Sequence, residues 1–385
     1  MEVLMKVSVL GFGTVGRGVY EMIGRTPGLE QGKVLVLPHE CTEDFMVTDI
    51  EDIVNDPDTG AVVECIGGIE PAGSFAEKMI KAGKHLVTSN KAMVAARGIE
   101  LADEAKRRGR AFLFSAACGG GVPFLHNLSV AGKSDRIKWV KGILNGTTNY
   151  ILDRMQQEHM AFEEALAEAK EKGYAEADPS ADISGLDSYR KIMLASAVSF
   201  GTMPEISSEI EGIGNYSMSD VDFVSGINGT VKLMARAGMQ ENGDVYAYVE
   251  PVIIKEGVEV GVRLNYNCAS YEGEASGPIS LIGQGAGRWP TASAVLRDLT
   301  GIMDGCYEMM PQGCRKAEPV NSDRHEYIVR CEDAVSEKFR TADILGRSGD
   351  TVYLLTGQYE VREMHKKVKE LREKGHEVFF AALEV

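Results

Sequence analysis

The sequence has no uninterrupted apolar run near the roughly 20 residues that a membrane-crossing helix requires, and its opening, MEVLMKVSVLGFG, is too short and glycine-rich for a secretory leader. A soluble, cytoplasmic protein is the resulting expectation, with no membrane partner. Basic residues are in short supply: 41 Lys and Arg face 57 Asp and Glu, a formal net charge of −16. Such a surface repels nucleic acid and anionic lipid, so a site for a phosphate-bearing ligand has to be local. Cysteine is sparse as well. Cys41, Cys65, Cys118, Cys268, Cys306, Cys314 and Cys331 are odd in number and include no CxxC pair. That excludes a disulfide framework and a thiolate zinc site and leaves reduced, mostly buried thiols. Internal repeats and low-complexity tracts are also absent.

What is present is apolar material, 44% of 385 residues, enough for more than one core. The stretch from Val7 to Leu10 runs into GFGTVG and then into Val15, Val19, Met22 and Ile23 at helical spacing, which reads as strand, turn, helix. Further apolar runs follow at 34–38, 61–68, 85–90 and 111–118, the last three separated by helical patterns that glycine stops. This alternation predicts a parallel, doubly wound α/β sheet. After Pro123 the rhythm changes. WVKGILNGTTNYIL reads as strand then helix, AFEEALAEAKEKG as a helix closed by Gly173, and DISGLDSYRKIMLASAVSFG as a third helix with Asp182 as N-cap. Strand-like stretches between 245 and 282 complete an α+β domain with a mixed sheet. GQGAGRWPTASAVLRDL at 283–299 is expected to return the chain to the first domain, with Trp289 in the core, and 312–324 reads as a polar linker. From 325 the order is strand, helix, strand, helix, strand, with Val361, Met364, Val368 and Leu371 on one helix face and Gly375 as its stop. The expected units are a Rossmann-type domain of 1–125 with 283–311, an α+β substrate and dimerisation domain of 126–282, and a small βαβ-rich C-terminal domain of 325–385.

Gly11, Gly13 and Gly16 form GxGxxG directly between strand and helix, where backbone N–H groups and the positive helix end meet a pyrophosphate. A glycine turn made only for close packing is the plainer alternative. The second strand should end in an acid for a ribose 2′-hydroxyl or an Arg for a 2′-phosphate. It ends Leu37-Pro38-His39-Glu40, with Glu40 open to a ribose contact or an ordinary loop role. A second constellation, GYAEADPSADISGLDSYRK, gathers Glu176, Asp178, Asp182, Asp187 and Lys191, the last two one helical turn apart. A lone Asp–Lys pair at that spacing is ordinarily a surface ion pair of small worth. Four acids and a lysine around a proline-containing turn offer more: a proton for a carbonyl oxygen as hydride arrives, and carboxylates for an ammonium-bearing substrate. Burial would lower the pKa of Lys191 and Asp187 would raise it, a balance the sequence leaves open.

Over roughly residues 5–310 the chain resembles the homoserine dehydrogenase family, through VLGFGTVGRGV, VVECIGGIEPA, VTSNKAMVA, GILNGTTNYIL, GYAEADPSADISGLDSYRK and GQGAGRWPTASAV. The resemblance implies NAD(P)-dependent interconversion of L-aspartate 4-semialdehyde and L-homoserine, in threonine and methionine biosynthesis, by a homodimer. It implies Lys191 as proton donor, Asp187 working beside it, and Lys91 near the nicotinamide and the reacting oxygen. Glu176 would bind the substrate amino group, with Asp182 and Asp187 as further substrate contacts. Cofactor contacts would fall at Gly11, Gly13, Thr14, Val15, Gly16, Gly67, Ser89, Lys91 and Gly287, with Gly173 contributing backbone. The carbonyls of Cys118, Gly120 and Val122 match a loop that holds sodium, although Ser115 stands where many relatives carry an acid. Leu37 stands where many have an Arg for NADP, so NADP and NAD both stay open.

The last 60 or so residues resemble a shortened ACT module, the type that in some relatives binds an amino-acid effector such as threonine. Where the usual module has DxPGVL this chain has EDAVSEKF, and a structural cap or dimerisation element fits equally. Every motif with chemistry lies before Ser293, so this tail is expected to be dispensable for catalysis. Two other functions compete: another amino-acid dehydrogenase, such as one acting on aspartate, and a non-catalytic dinucleotide sensor. GILNGTTNYIL with the acidic turn argues against the first, and the joint presence of Lys91, Glu176, Asp187 and Lys191 against the second.

Overall fold

A computed structural model describes residues 4–384. The first domain runs β1 (Met5–Leu10), α1 (Thr14–Ile23), β2 (Leu29–Leu35), β3 (Met46–Val47), α2 (Glu51–Val54), β4 (Thr59–Glu64), α3 (Ala72–Lys81), β5 (His85–Thr88), α4 (Lys91–Arg107) and β6 (Phe112–Leu113). Its six strands are parallel in the order β3-β2-β1-β4-β5-β6. Val7, Val9, Val62, Val63, Leu86 and Val87 have no solvent exposure, as strands covered by helices on both faces require. The order reverses at β1 and β4, so the ligand crevice opens at their carboxyl ends. Two strands differ from expectation. β2 ends at Leu35 because the chain turns into a short 3-10 helix at Pro38–Glu40, where proline offers no N–H to a ladder. β6 stops at Leu113 because Ser115 is drawn aside by Asp298, which accepts from its N–H (2.9 Å) and its hydroxyl (2.6 Å).

The second domain follows with α5 (Phe124–Ala131), β7 (Ile137–Ile143), α6 (Gly146–Glu158), α7 (Phe162–Glu171), α8 (Ser180–Ile183), α9 (Leu186–Phe200), β8 (Thr202–Pro204), α10 (Met218–Gly226), β9 (Thr230–Met239), β10 (Val245–Ile254), β11 (Tyr266–Gly273) and β12 (Gly277–Gln284). Asp182 is not the N-cap of the third helix. α9 begins after Gly185, held at φ +85°, and Asp182 lies in the preceding turn with its carboxylate free for the site. α11 (Arg288–Met303) returns to the first domain and packs so tightly on α1 that a Cβ at Gly18 would lie 2.8 Å from the Arg288 side chain. Arg288 also pairs with Glu21 at 2.7 Å. Trp289 is 46% exposed rather than core, with the Arg288 guanidinium 4.5 Å above its ring.

The 312–324 stretch is not a free linker. β13 (Arg315–Ala317) pairs with β8, Val320 N–H donates to the Val245 carbonyl, and buried Asn321 accepts from Ala247 N–H. Then come β14 (Arg324–His325), β15 (Tyr327–Glu332), α12 (Asp333–Ser336), β16 (Thr341–Ser348), β17 (Thr351–Thr356), β18 (Tyr359–Glu360), α13 (Val361–Arg372) and β19 (Phe379–Glu384). The β16–β17 hairpin adds a strand that the sequence reading lacks, since β16 is exposed along nearly its whole length and carries no apolar alternation. Val361, Met364, Val368 and Leu371 are buried as expected, and Gly375 at φ +89° ends the helical turn.

The long strands take the order β19-β15-β17-β16, the split βαβ arrangement. β19 also pairs in parallel with β10, Val252 opposite Ala382, giving one sheet of nine strands, β12-β11-β7-β9-β10-β19-β15-β17-β16. Ile143, Met234, Val252 and Ile254 pack in the same cluster as Tyr327, Val329, Met364 and Phe380. The segment expected to stand apart at 325–385 therefore shares sheet and core with 126–282. All seven cysteines are unpaired, three of them buried and Cys41 exposed. No described helix is long and apolar enough to cross a membrane.

Candidate active site

The glycines at the end of β1 have separate tasks. Gly11 sits at φ +93°, and a Cβ there would lie 2.9 Å from the Cys65 carbonyl; at Gly16 it would lie 2.1 Å from the Gly11 carbonyl. Gly11 lets the turn lie against the chain leaving β4, and Gly16 lets α1 lie against the turn. A Cβ at Gly13, the N-cap of α1, would meet nothing within 4 Å, so the space over the first N–H groups of Thr14 and Val15 is open. That is the geometry of an anion site at a helix start. Across the crevice, buried Glu64 accepts from the N–H groups of Ile66 (2.7 Å) and Gly67 (3.2 Å) and from the Thr88 hydroxyl (2.6 Å), folding the loop that carries Gly67. Asn90 caps α4 by accepting from Met93 N–H and donates to the Gly68 carbonyl at 2.6 Å, which places Ser89 and Lys91 beside that loop. At the end of β2, Glu40 turns back to accept from Leu37 N–H (3.2 Å), and Leu37 is 60% exposed.

The second constellation closes around Asp187. Lys191 Nζ lies 2.7 Å from one of its oxygens and Lys91 Nζ 2.9 Å from the other, so a lysine from each domain meets one carboxylate. Asn145 donates to Asp187 (2.8 Å) and to Asp182 (2.6 Å), and Lys191 also donates to the Leu144 carbonyl (2.6 Å). These groups line a cavity of about 440 Å³ with Glu176, Gly173 and Gly287 on its walls. Burial alone would raise the Asp187 carboxyl, but Lys191 and Lys91 outweigh it and hold it well below the usual carboxylate range. Burial pulls Lys191 down, yet Asp187 prevails and its pKa stands above the ordinary lysine value. The balance left open by the sequence thus falls toward a protonated Lys191. Asp182 is pushed up by burial and by Asp187 beside it.

Three contributors were not singled out in the sequence. Asn145 caps α6 through Thr148 N–H and aligns both acids; its signal was present, since Asn before a helix start is a preferred N-cap. Asn265 lines the cavity from a loop that Asn149 fixes by donating to the carbonyls of Val262, Leu264 and Tyr266, and nothing local in the sequence indicated that pairing. Asp298 provides the acid beside Ser115, from a helix far along the chain; burial pushes its carboxyl up to about 7. The loop of Cys118, Gly120 and Val122 is locked onto 284–286: Gly121 N–H donates to the Gln284 carbonyl, and a Cβ at Gly120 would lie 2.4 Å from the Gly285 carbonyl.

A parallel sheet with an open helix start at its crevice, facing a lysine-bearing acidic cavity, defines the class of a two-domain nicotinamide-dependent oxidoreductase. Two family models match, described as "Homoserine dehydrogenase, NAD binding domain" over 11–115 and "Homoserine dehydrogenase" over 123–300. A homoserine dehydrogenase of Synechocystis sp. is 38% identical over 373 residues, covering 90% of this chain and 85% of that protein. One from Bacillus subtilis is 33% identical over 78% of this chain and 73% of its own length. The crystal structure of a homoserine dehydrogenase from Thiobacillus denitrificans superposes with a TM-score of 0.86 at 29% identity, covering 99% of this chain and 98% of that one. A hyperthermophilic archaeal homoserine dehydrogenase solved with NADPH matches 78% of this chain and 98% of its own, with a TM-score of 0.66 and 26% identity. The chain belongs to the homoserine dehydrogenase family.

Proposed function

We propose that this chain interconverts L-aspartate 4-semialdehyde and L-homoserine with NAD(P), and that Lys191 is its proton donor and acceptor. The observation that carries this reading is the bridge of Asp187 between Lys191 and Lys91 at the wall of an acid-lined cavity. The N–H groups following Gly13 suit the pyrophosphate of the dinucleotide, with Gly67, Ser89 and Gly287 along its course. The bound nicotinamide supplies hydride to the aldehyde carbon, or accepts it from the alcohol carbon of homoserine. Lys191, held protonated by Asp187, gives its proton to the oxygen as negative charge develops there, and takes it back in the reverse direction. Lys91 lends positive charge to the same oxygen. Glu176 and Asp182 are the carboxylates for the substrate ammonium group.

A monovalent cation such as sodium suits the loop at 118–122. The Val122 carbonyl accepts from Phe124 N–H, while among the described residues no backbone donor is paired with the carbonyls of Cys118 or Gly120. A homodimer is the proposed assembly, favoured by the open edge of β12 with exposed Ile282 and the nearby exposed Tyr266. The cytoplasm suits seven unpaired thiols. Purified protein assayed for NAD(P)H oxidation with aspartate 4-semialdehyde tests the function. Turnover only with oxaloacetate and ammonia would indicate an aspartate dehydrogenase, and dinucleotide binding without turnover a sensor.

A further inference from the structure

Arg372, in the last turn of α13, grips Glu211 with both arms of its guanidinium, at 2.8 and 3.0 Å, the two-pronged geometry that fixes a carboxylate in orientation as well as distance. The same side chain donates to the Val378 carbonyl (2.7 Å from Nη2), tying it to the turn before β19. Glu211 is bound in turn to β10, its N–H donating to the Val249 carbonyl at 2.8 Å. Two residues on, Ile213 N–H donates to the Ile183 carbonyl at 3.0 Å. Between them Gly212 is pressed so closely onto 183–184 that a Cβ there would lie 1.9 Å from the Ile183 carbonyl and 2.7 Å from Ser184 Cα. From the other side, a Cβ at Gly185 would lie 3.3 Å from the Glu211 carbonyl. Residues 183–185 are the short connection between Asp182 and Asp187, so their backbone sets where both carboxylates stand.

We infer that Arg372 is a positioning residue for the substrate site, holding the 182–187 turn in place through Glu211. The inference rests on the proposed reading of that turn as the place where substrate binds. It gives the C-terminal helix a part in binding homoserine although no residue of that helix lines the catalytic cavity. Displacing Asp182, which this reading assigns to the substrate, weakens binding before it alters the chemical step, because Asp187 and Lys191 move together on α9 and Lys191 is also anchored on Leu144.

The test uses the full-length protein with Arg372→Met, Glu211→Gln, the double variant, and Val368→Ala, which loosens the same helix from its buried face. Arg372→Met should raise KM for homoserine about fivefold or more, within the usual range of coupling between distant groups, while kcat and the KM for NAD(P) stay within about twofold. Glu211→Gln should act alike, and the double variant should be no worse than the more severe single. Arg372→Lys should recover part of the loss. Amide hydrogen exchange at 183–187 should quicken in Arg372→Met and not in Val368→Ala, a readout independent of turnover. Unchanged KM and exchange in Arg372→Met would overturn the inference, as would an equal rise in Val368→Ala. Wild-type protein that turns over no homoserine would instead count against the function, with the exchange measurement still deciding the positioning role.

Discussion

The two sheets of this molecule are built on different plans. The six parallel strands of the first lie within Met5–Leu113, each beside a strand that a short helix or loop away precedes or follows it. The nine strands of the second are drawn from Ile137 to Glu384, and its central neighbours β10 and β19 are separated by more than a hundred residues of chain. The first plan announces itself locally, through a turn motif and an alternation. The second depends on pairings that no window of sequence contains. The candidate sites divide along a related line: the local sheet offers the dinucleotide crevice, and most of the walls of the facing cavity come from the second domain.

The severest test of that contrast is removal of residues from 320 onward. If the nine-stranded sheet is one unit, truncation uncovers Ile143, Met234, Val252 and Ile254 and leaves β10 as an unpaired edge. At about 1.5–3 kcal/mol for each large apolar side chain, the loss rivals the whole stability of a domain. Insoluble or unfolded protein is the expected outcome, measured by solubility and circular dichroism. A soluble truncation with near wild-type activity would restore the tail to the separable status its late position in the sequence suggested.

Next in size is Lys191→Ala, which separates chemistry from cofactor binding. Loss of the proposed proton donor should lower kcat by about 10² to 10⁴ in both directions, with the KM for NAD(P) nearly unchanged because the helix start at Gly13 lies in the other domain. Lys191→Arg should not recover it fully, since a guanidinium is a poor proton donor near neutrality. If Lys91→Ala abolishes turnover while Lys191→Ala does not, the two lysines exchange roles.

The closure of the first domain by α11 is tested by Asp298→Asn. Burial raises the Asp298 carboxyl to about 7 in the folded chain, against about 3.9 when unfolded. Its contribution to stability is therefore fully present below about pH 4 and lost as pH rises toward 7, by up to about 4 kcal/mol. Asparagine gives up one bond to Ser115, worth about 1 kcal/mol, and escapes that penalty. The variant should melt lower than wild type at pH 4, where the wild-type carboxyl has lost little of its contribution, and higher at pH 8. Parallel melting curves across that range would mean that the carboxylate is stabilised by a cation or another partner. The smallest effect concerns the cofactor. With Glu40 turned onto Leu37 N–H and no Arg at the end of β2, kcat/KM for NADH and NADPH should differ by less than about a thousandfold.

Legibility followed the same division. GxGxxG, the helices about 162–171 and 186–200, and the gathering of Glu176, Asp182, Asp187 and Lys191 were readable because each lies within one turn or one helix. The β16 strand was not, since it is exposed on both faces and carries no period of two. Asp298 was unreadable for another reason: its partner Ser115 is 183 residues away, and an acid inside an amphipathic helix looks like any solvated acid until that helix folds back onto the first sheet. Asn145 was readable in principle, because its place before a helix start is a local signal, but its second task of aligning two carboxylates depends on a turn some 40 residues on.

The way α11 closes the first domain also bears on how the chain is made. Arg288 clasps Glu21 and Asp298 captures Ser115, so the first domain is incomplete until about 170 further residues have left the ribosome. At roughly 5–20 residues per second that delay lasts on the order of 10 to 30 s, during which one flank of α1 waits uncovered. Gly18, whose missing side chain is what lets α11 settle there, makes that waiting surface flat and nearly featureless. That surface is covered only once residues through Met303 have emerged and α11 has packed onto it.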